Sequence, residues 1–263
     1  MRLESLKLSL TLLAALFSLS TGCATAPEPA KAAATETAQT SPLPQQSVLE
    51  LRAGQVLSLT APVPRENASD LRKTYYQQAF PLARKEGLAR TLALDVTGTL
   101  VGSFAPGGLV FFTWPDEASE KAFTSNPDWP AIKATRPDGW EELRIYNSKI
   151  ERDMSITFRH DKFYTAAVAW ISSENPDDYE RYLKNIESTV NAVGGRFLYK
   201  MKNIRYETHT APFESPGQIT FVEWDTQEGL SKLTSSKAYK QNNRFLRSGT
   251  TRFELHSIAP GTG

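Results

Sequence analysis

The chain repeats itself. Val110-Phe111-Phe112-Thr113-Trp114-Pro115-Asp116-Glu117 is matched 110 residues later by Thr220-Phe221-Val222-Glu223-Trp224-Asp225-Thr226-Gln227. The same spacing sets Phe123 over Leu233, Ser125 over Ser235, Trp129 over Tyr239 and Gly139 over Gly249. Beyond the glycines, Leu143 and Ile145 fall over Phe253 and Leu255. Upstream, Asp70-Leu71 falls over Asp178-Tyr179 and Gly87 over Gly195 at a spacing of 108, so a hairpin between the two blocks differs by two residues. Self-similarity over such a length binds both copies to one solution for burying their apolar surface. The pattern reads as a tandem duplication, with a first unit over residues 47–160 and a second over 161–263.

Each copy follows the order strand, helix, strand, strand, helix, strand. In the second, residues 164–171 are rich in aromatic and apolar side chains, as strands are. The polar stretch 172–177 contains Pro176 and supplies a strand-to-helix turn. Tyr179, Tyr182, Leu183, Ile186, Val190 and Val193 then recur at steps of three and four, the stripe of an amphipathic helix. Gly194-Gly195 offers the left-handed backbone that favours a helix end. Strands at 196–202 and 218–224 flank a long hairpin, a second helix begins at 227–233, and 251–257 gives the last strand. The first copy repeats this with 56–61, 71–85, 91–96, 109–114, 117–123 and 141–146. Residues 150–160 either extend the first copy's last strand or make an extra edge strand.

A βαββαβ unit is ferredoxin-like, with both helices on one face of a four-stranded antiparallel sheet. Its other face stays bare and apolar unless something covers it. Two units in one chain can cover each other. The expectation is therefore an α+β fold in which two tandem ferredoxin-like βαββαβ units pack sheet to sheet as a pseudo-dimeric α/β barrel, within a monomer.

The N-terminus carries an address. Arg2 and Lys7 precede an apolar run over residues 8–19, too short for a membrane span, which needs roughly 20 residues. Ser20-Thr21-Gly22-Cys23 resembles a lipobox, which implies cleavage of a signal peptide over residues 1–22 and lipid attachment to Cys23, the only cysteine. Ala24, rather than Asp, follows it, and among bacterial lipoproteins this implies an outer-membrane anchor facing the periplasm. With one cysteine no disulfide can form within the chain. Residues 23–46 are rich in Ala, Pro, Thr, Ser and Gln and read as a disordered tether. Without residues 1–22 the basic and acidic residues balance. Such neutrality gives no general attraction to nucleic acid.

The second copy resembles a bacterial family catalogued as domain of unknown function 1330, in the dimeric α/β-barrel superfamily. Asn175-Pro176-Asp177-Asp178-Tyr179, Gly194-Gly195-Arg196-Phe197-Leu198, Phe221-Val222-Glu223-Trp224 and Ser235-Ser236-Lys237-Ala238-Tyr239 with Arg244 carry the resemblance. The first copy departs from it, with Glu86-Gly87-Leu88 for Gly-Gly-Arg and Thr113 where Glu223 stands. The superfamily spans cofactor-free monooxygenases on aromatic substrates, isomerases, haem peroxidases and plain binding domains, so the resemblance implies a fold and no single activity. It does imply that a ligand would lie between sheet and helices or inside the barrel.

Candidate site residues are few. His160, His209 and His256 show no metal-ligand spacing, and no phosphate, dinucleotide or serine-nucleophile motif is present, so neither metal nor cofactor is expected. Glu223 shares a strand face with Ile219 and Phe221. A carboxylate there could act as acid or base, with Arg196 and His209 as companions, or simply pair with Arg196. Trp170 and Tyr199 could stack on a planar ligand or serve as core aromatics. Trp114, Trp129 and Trp140 gather around prolines as a binding surface or as packing beneath a loop-rich helix. The reading is a lipoprotein that binds a small apolar or aromatic molecule or serves as an envelope interaction module. A cofactor-independent monooxygenase or isomerase is the alternative.

Overall fold

The computed structural model describes residues 46–210 and 214–261. The signal peptide, Cys23 and residues 23–45 of the tether lie outside them. In chain order come β1 (Gln46–Leu51), β2 (Val56–Pro64), α1 (Ser69–Lys85), β3 (Ala89–Val101) and β4 (Gly108–Trp114). Three short helices, α2 (Glu117–Thr124), α3 (Trp129–Ala134) and α4 (Arg136–Gly139), lead to β5 (Trp140–Lys149) and β6 (Met154–Arg159). There follow β7 (Phe163–Ile171), α5 (Asp178–Ala192), β8 (Gly195–Met201), β9 (Arg205–Glu207) and β10 (Gln218–Trp224). Helices α6 (Gly229–Ser235) and α7 (Lys237–Gly249) precede β11 (Thr250–Pro260).

Nine strands form one antiparallel sheet in the order β8-β10-β7-β11-β3-β4-β2-β5-β9. The run β2-α1-β3-β4-β5 contributes β3-β4-β2-β5, and the run from β7 to β11 contributes β8-β10-β7-β11. Both have the order second, third, first, fourth, which is that of a ferredoxin-like sheet. The expected packing of sheet on sheet takes a different form. The two sheets share hydrogen bonds edge to edge, with Leu255–Pro260 of β11 pairing with β3. The outermost strands, β8 and β9, are consecutive in the chain with only residues 202–204 between them, so the sheet curls until its ends meet.

Matching contacts recur in the two runs. Trp114 donates its indole N–H to Ser58 Oγ at 3.0 Å, and Trp224 donates to Thr165 Oγ1 at 3.0 Å. Gly87 and Gly194 both sit just past a helix with positive φ, 86° and 81°. A Cβ on Gly87 would meet Pro115, and one on Gly194 would meet Asp225. These pairs correct the spacing upstream of the hairpin. Gly87 corresponds to Gly194 and not to Gly195, a spacing of 107. Steric need selects the residue with φ near +80°, and a sequence overlay of two adjacent glycines cannot tell which one that is.

The inner face of the curled sheet is packed. Phe111, Phe158 and Phe221 meet there at ring separations of 5.8 to 6.5 Å, with Leu57, Leu59 and Tyr164 around them. Part of this filling comes from residues 150–160. They neither extend β5 nor join the edge of the large sheet. Instead β6 pairs with β1 as a separate two-stranded sheet. Leu49 and Leu51 of β1 and Ile156 and Phe158 of β6 are buried in the interior core. Both strands alternate buried and exposed residues, so a single apolar face is turned inward.

Candidate functional site

The outer face of each run is covered by its helices, and there the two differ. In the second run the layer is solid. Tyr182, Ile186 and Val190 of α5 and Leu246 of the long helix α7 pack on Val222 and Trp224. In the first run the corresponding layer holds a cavity of about 470 Å3. Three replacements account for it. At a spacing of 107, Ala79 and Ala83 stand where α5 has Ile186 and Val190. At a spacing of 110, Arg136 stands where α7 has Leu246. The helical cover in that place is also broken into α2, α3 and α4, with Pro130 and Pro137 each opening a short helix.

The walls are mainly aromatic: Tyr76 and Phe80 of α1, Phe112 and Trp114 of β4, Phe123 of α2 and Trp140 of β5. The polar groups cluster at one end. Arg136 is 3% exposed, donates its Nε–H to the Tyr75 hydroxyl at 2.9 Å, and pairs with Glu207 of β9. Lys133 reaches the other oxygen of Glu207 at 3.2 Å. Trp129 lies beneath the guanidinium, 5.1 Å from its ring centre. Burial pushes the Glu207 carboxyl up, yet Arg136 and Lys133 outweigh it and hold the group below the ordinary carboxylate value. Burial raises the Tyr75 hydroxyl, which stays protonated and free to donate. Glu120, also in the wall, has its pKa raised by burial despite its pairing with Arg205.

Such a site can remove a flat or extended apolar molecule from water, stack it on rings, and offer one polar substituent the Tyr75 hydroxyl or the edge of Arg136. The sequence pointed to two of its tryptophans and Trp140, all of which line the cavity. It gave no sign of Tyr75, Arg136 or Glu207. The signal available was the overlay itself, since an arginine over a leucine and two alanines over an isoleucine and a valine mark a core that one copy lacks.

The other candidates lie elsewhere. Glu223 is on the inner face of β10, 7% exposed, and accepts hydrogen bonds from Tyr164 at 3.1 Å and from Arg196 at 2.9 Å. The expected partnership with Arg196 is therefore present, directly across the ladder. His209 lies in the segment between β9 and β10, where its Nδ1 is buried without a hydrogen-bond partner among the described residues. Trp170 donates its indole N–H to the Glu214 carbonyl at 2.7 Å and belongs to the interior core. Tyr199 stacks on Phe221 at 6.3 Å, and burial pushes its pKa up to about 12. None of Glu223, Arg196, His209, Trp170 or Tyr199 lines the cavity.

No family model matches the sequence and no curated protein does. Solved structures do resemble it. An anthrone oxidase-like protein superposes with a TM-score of 0.54 at 10% identity, covering 81% of this chain and 94% of that one. A candidate monooxygenase of Fusobacterium nucleatum covers 80% and 94% at 13% identity, with a TM-score of 0.39. A chlorite dismutase of Candidatus Nitrospira defluvii covers 80% and 93% at 11% identity, with a TM-score of 0.42. The first likeness shows that the two proteins share this α+β fold.

Proposed function

We propose that the protein is a binding protein for a small apolar or aromatic molecule, held between sheet and helices of the first βαββαβ run. One observation carries this reading. The layer that is solid in the second run is hollow in the first, and a buried, hydrogen-bonded arginine stands in place of a core leucine. Burying a guanidinium is costly unless it is fully paired, and such a group in a core position has no packing advantage over leucine. In this reading the chain is a tandem pair of half-barrels, of the kind implied by its resemblance to the domain of unknown function 1330 family. Lipid on Cys23 would hold it to a membrane, facing the periplasm.

The test is native mass spectrometry of the mature protein purified from its host. A retained adduct that disappears when the cavity is filled supports the reading. A protein without adduct that also fails to bind a neutral naphthyl probe ends it.

A second reading, cofactor-independent monooxygenation or isomerisation, is favoured by Glu120, a cavity-wall carboxylate whose raised pKa suits proton abstraction. It requires that E120Q abolish turnover of a bound ligand while leaving its affinity intact.

A further inference from the structure

The cavity has a direction, and its two ends differ in charge. Its floor crosses five strands in the order β3-β4-β2-β5-β9, from Arg90 on β3 to Glu207 beyond β5. Four gaps of about 4.8 Å set the ends roughly 19 Å apart. A volume of about 470 Å3 spread over that length is narrow in section, about as wide as one ring or one alkyl chain.

At the β9 end the charges are matched: Arg136 and Lys133 meet Glu207, and Arg205 meets Glu120. At the β3 end they are not. Arg90 lies in the wall and Arg84 extends over the Phe80 ring, 5.6 Å from its centre. Among the described residues neither of these two guanidinium groups meets a carboxylate. The Phe80 ring lies 5.9 Å from Phe112, which faces Arg90 across the β3-β4 ladder, so both arginines flank one aromatic patch. Tyr76 and Phe80 stack there at 5.1 Å, and Tyr76 is 40% exposed. These two rings frame the mouth.

We propose that the cavity takes an elongated amphiphile, its apolar body laid across the strands and its single anionic group resting between Arg90 and Arg84. This rests on the binding reading above. Two like charges gathered on an aromatic surface repel one another, and an anionic group on the ligand relieves that repulsion with charge-assisted hydrogen bonds. The matched end gives no such gain, which fixes the orientation.

Two probes with the same ring system test it: neutral N-phenyl-1-naphthylamine and its sulfonated analogue 8-anilinonaphthalene-1-sulfonate, titrated against the mature chain. In R84A/R90A the sulfonate should bind about tenfold more weakly, the equivalent of about 1.4 kcal/mol, with the neutral probe unchanged within about twofold. Equal loss of both probes, or loss of neither, overturns the proposal while leaving a binding cavity in place. A wild-type protein that binds neither probe overturns the binding reading and this one with it. Displacement of the sulfonate by dodecanoate in solution, against displacement by phosphatidylglycerol vesicles, separates a free acid from a membrane lipid as the source. Displacement by dodecanol as effective as by dodecanoate counts against the anionic group.

Discussion

Arg144 and Glu254 stand 110 residues apart, at the same place in the last strand of each run, and pair with each other at 2.8 Å with side chains about 1% exposed. Their neighbours two residues back are inverted as well. Glu142 pairs with Arg144, and Arg252 pairs with Glu254. One strand reads Glu-x-Arg and the other Arg-x-Glu. Two copies of the first run facing each other would bury arginine against arginine, and two copies of the second would bury glutamate against glutamate. The inversion makes each run complementary to the other alone.

Removing one partner leaves the other buried and held only by its neighbour two residues back. R144M or E254Q should cost about 1.5–3 kcal/mol, which lowers the melting temperature by roughly 3–12 °C for a chain of this size. In R144M/E254Q both charges are gone, and the double variant should lose less than the two single losses added together. Thermal unfolding of the four proteins in a double-mutant cycle checks it, and single losses that simply add refute the coupling.

Filling the cavity with the second run's own residues, A79I/A83V, should abolish binding of the neutral naphthyl probe. Because Ile186 and Val190 occupy the equivalent places in a well-packed layer, the variant should fold normally. Probe fluorescence, with far-ultraviolet circular dichroism as the control, reads the result.

Phe158 anchors the small β1-β6 sheet inside the large one, against Phe111, Phe221 and Tyr164. Truncation in F158A leaves a void that those rings cannot close, at a cost of about 3–5 kcal/mol. Denaturant unfolding measures it. A loss under about 1 kcal/mol would mean that the small sheet contributes little to the core.

His256, 2% exposed beside Glu254, has its pKa lowered by burial and by Arg144 despite the nearby carboxylate. The folded state therefore holds the ring neutral, while the unfolded chain takes up a proton near the ordinary histidine value of 6.5. Its contribution to stability is complete above that pH and declines as pH falls below it, by at most about 1.4 kcal/mol per unit. H256N should flatten this acid-side slope in unfolding curves taken from pH 7 downward.

The repeat made the fold legible. Aligned tryptophans, glycines and alternating strands sufficed to place both βαββαβ runs, because those residues meet the same steric demands twice. The β1-β6 sheet was hidden, since β1 follows a tether-like composition and its partner lies more than a hundred residues away. The cavity was hidden for a different reason. Small residues on a helix read as ordinary helix formers, and only their placement opposite Phe112 and Trp114 leaves space. Glu223 attracted notice as a carboxylate on an apolar face, but Tyr164 and Arg196 satisfy it there.

If the cavity binds as proposed, its presence in one run and a packed layer in the other sets the stoichiometry. A barrel assembled from two identical chains would offer two equivalent sites and the opportunity for one to influence the other. With Leu246, Ile186 and Val190 closing the second layer, saturation would come at one molar equivalent with a hyperbolic isotherm. The second run would then be left as scaffold, free to accept changes in its helices without altering what the protein holds.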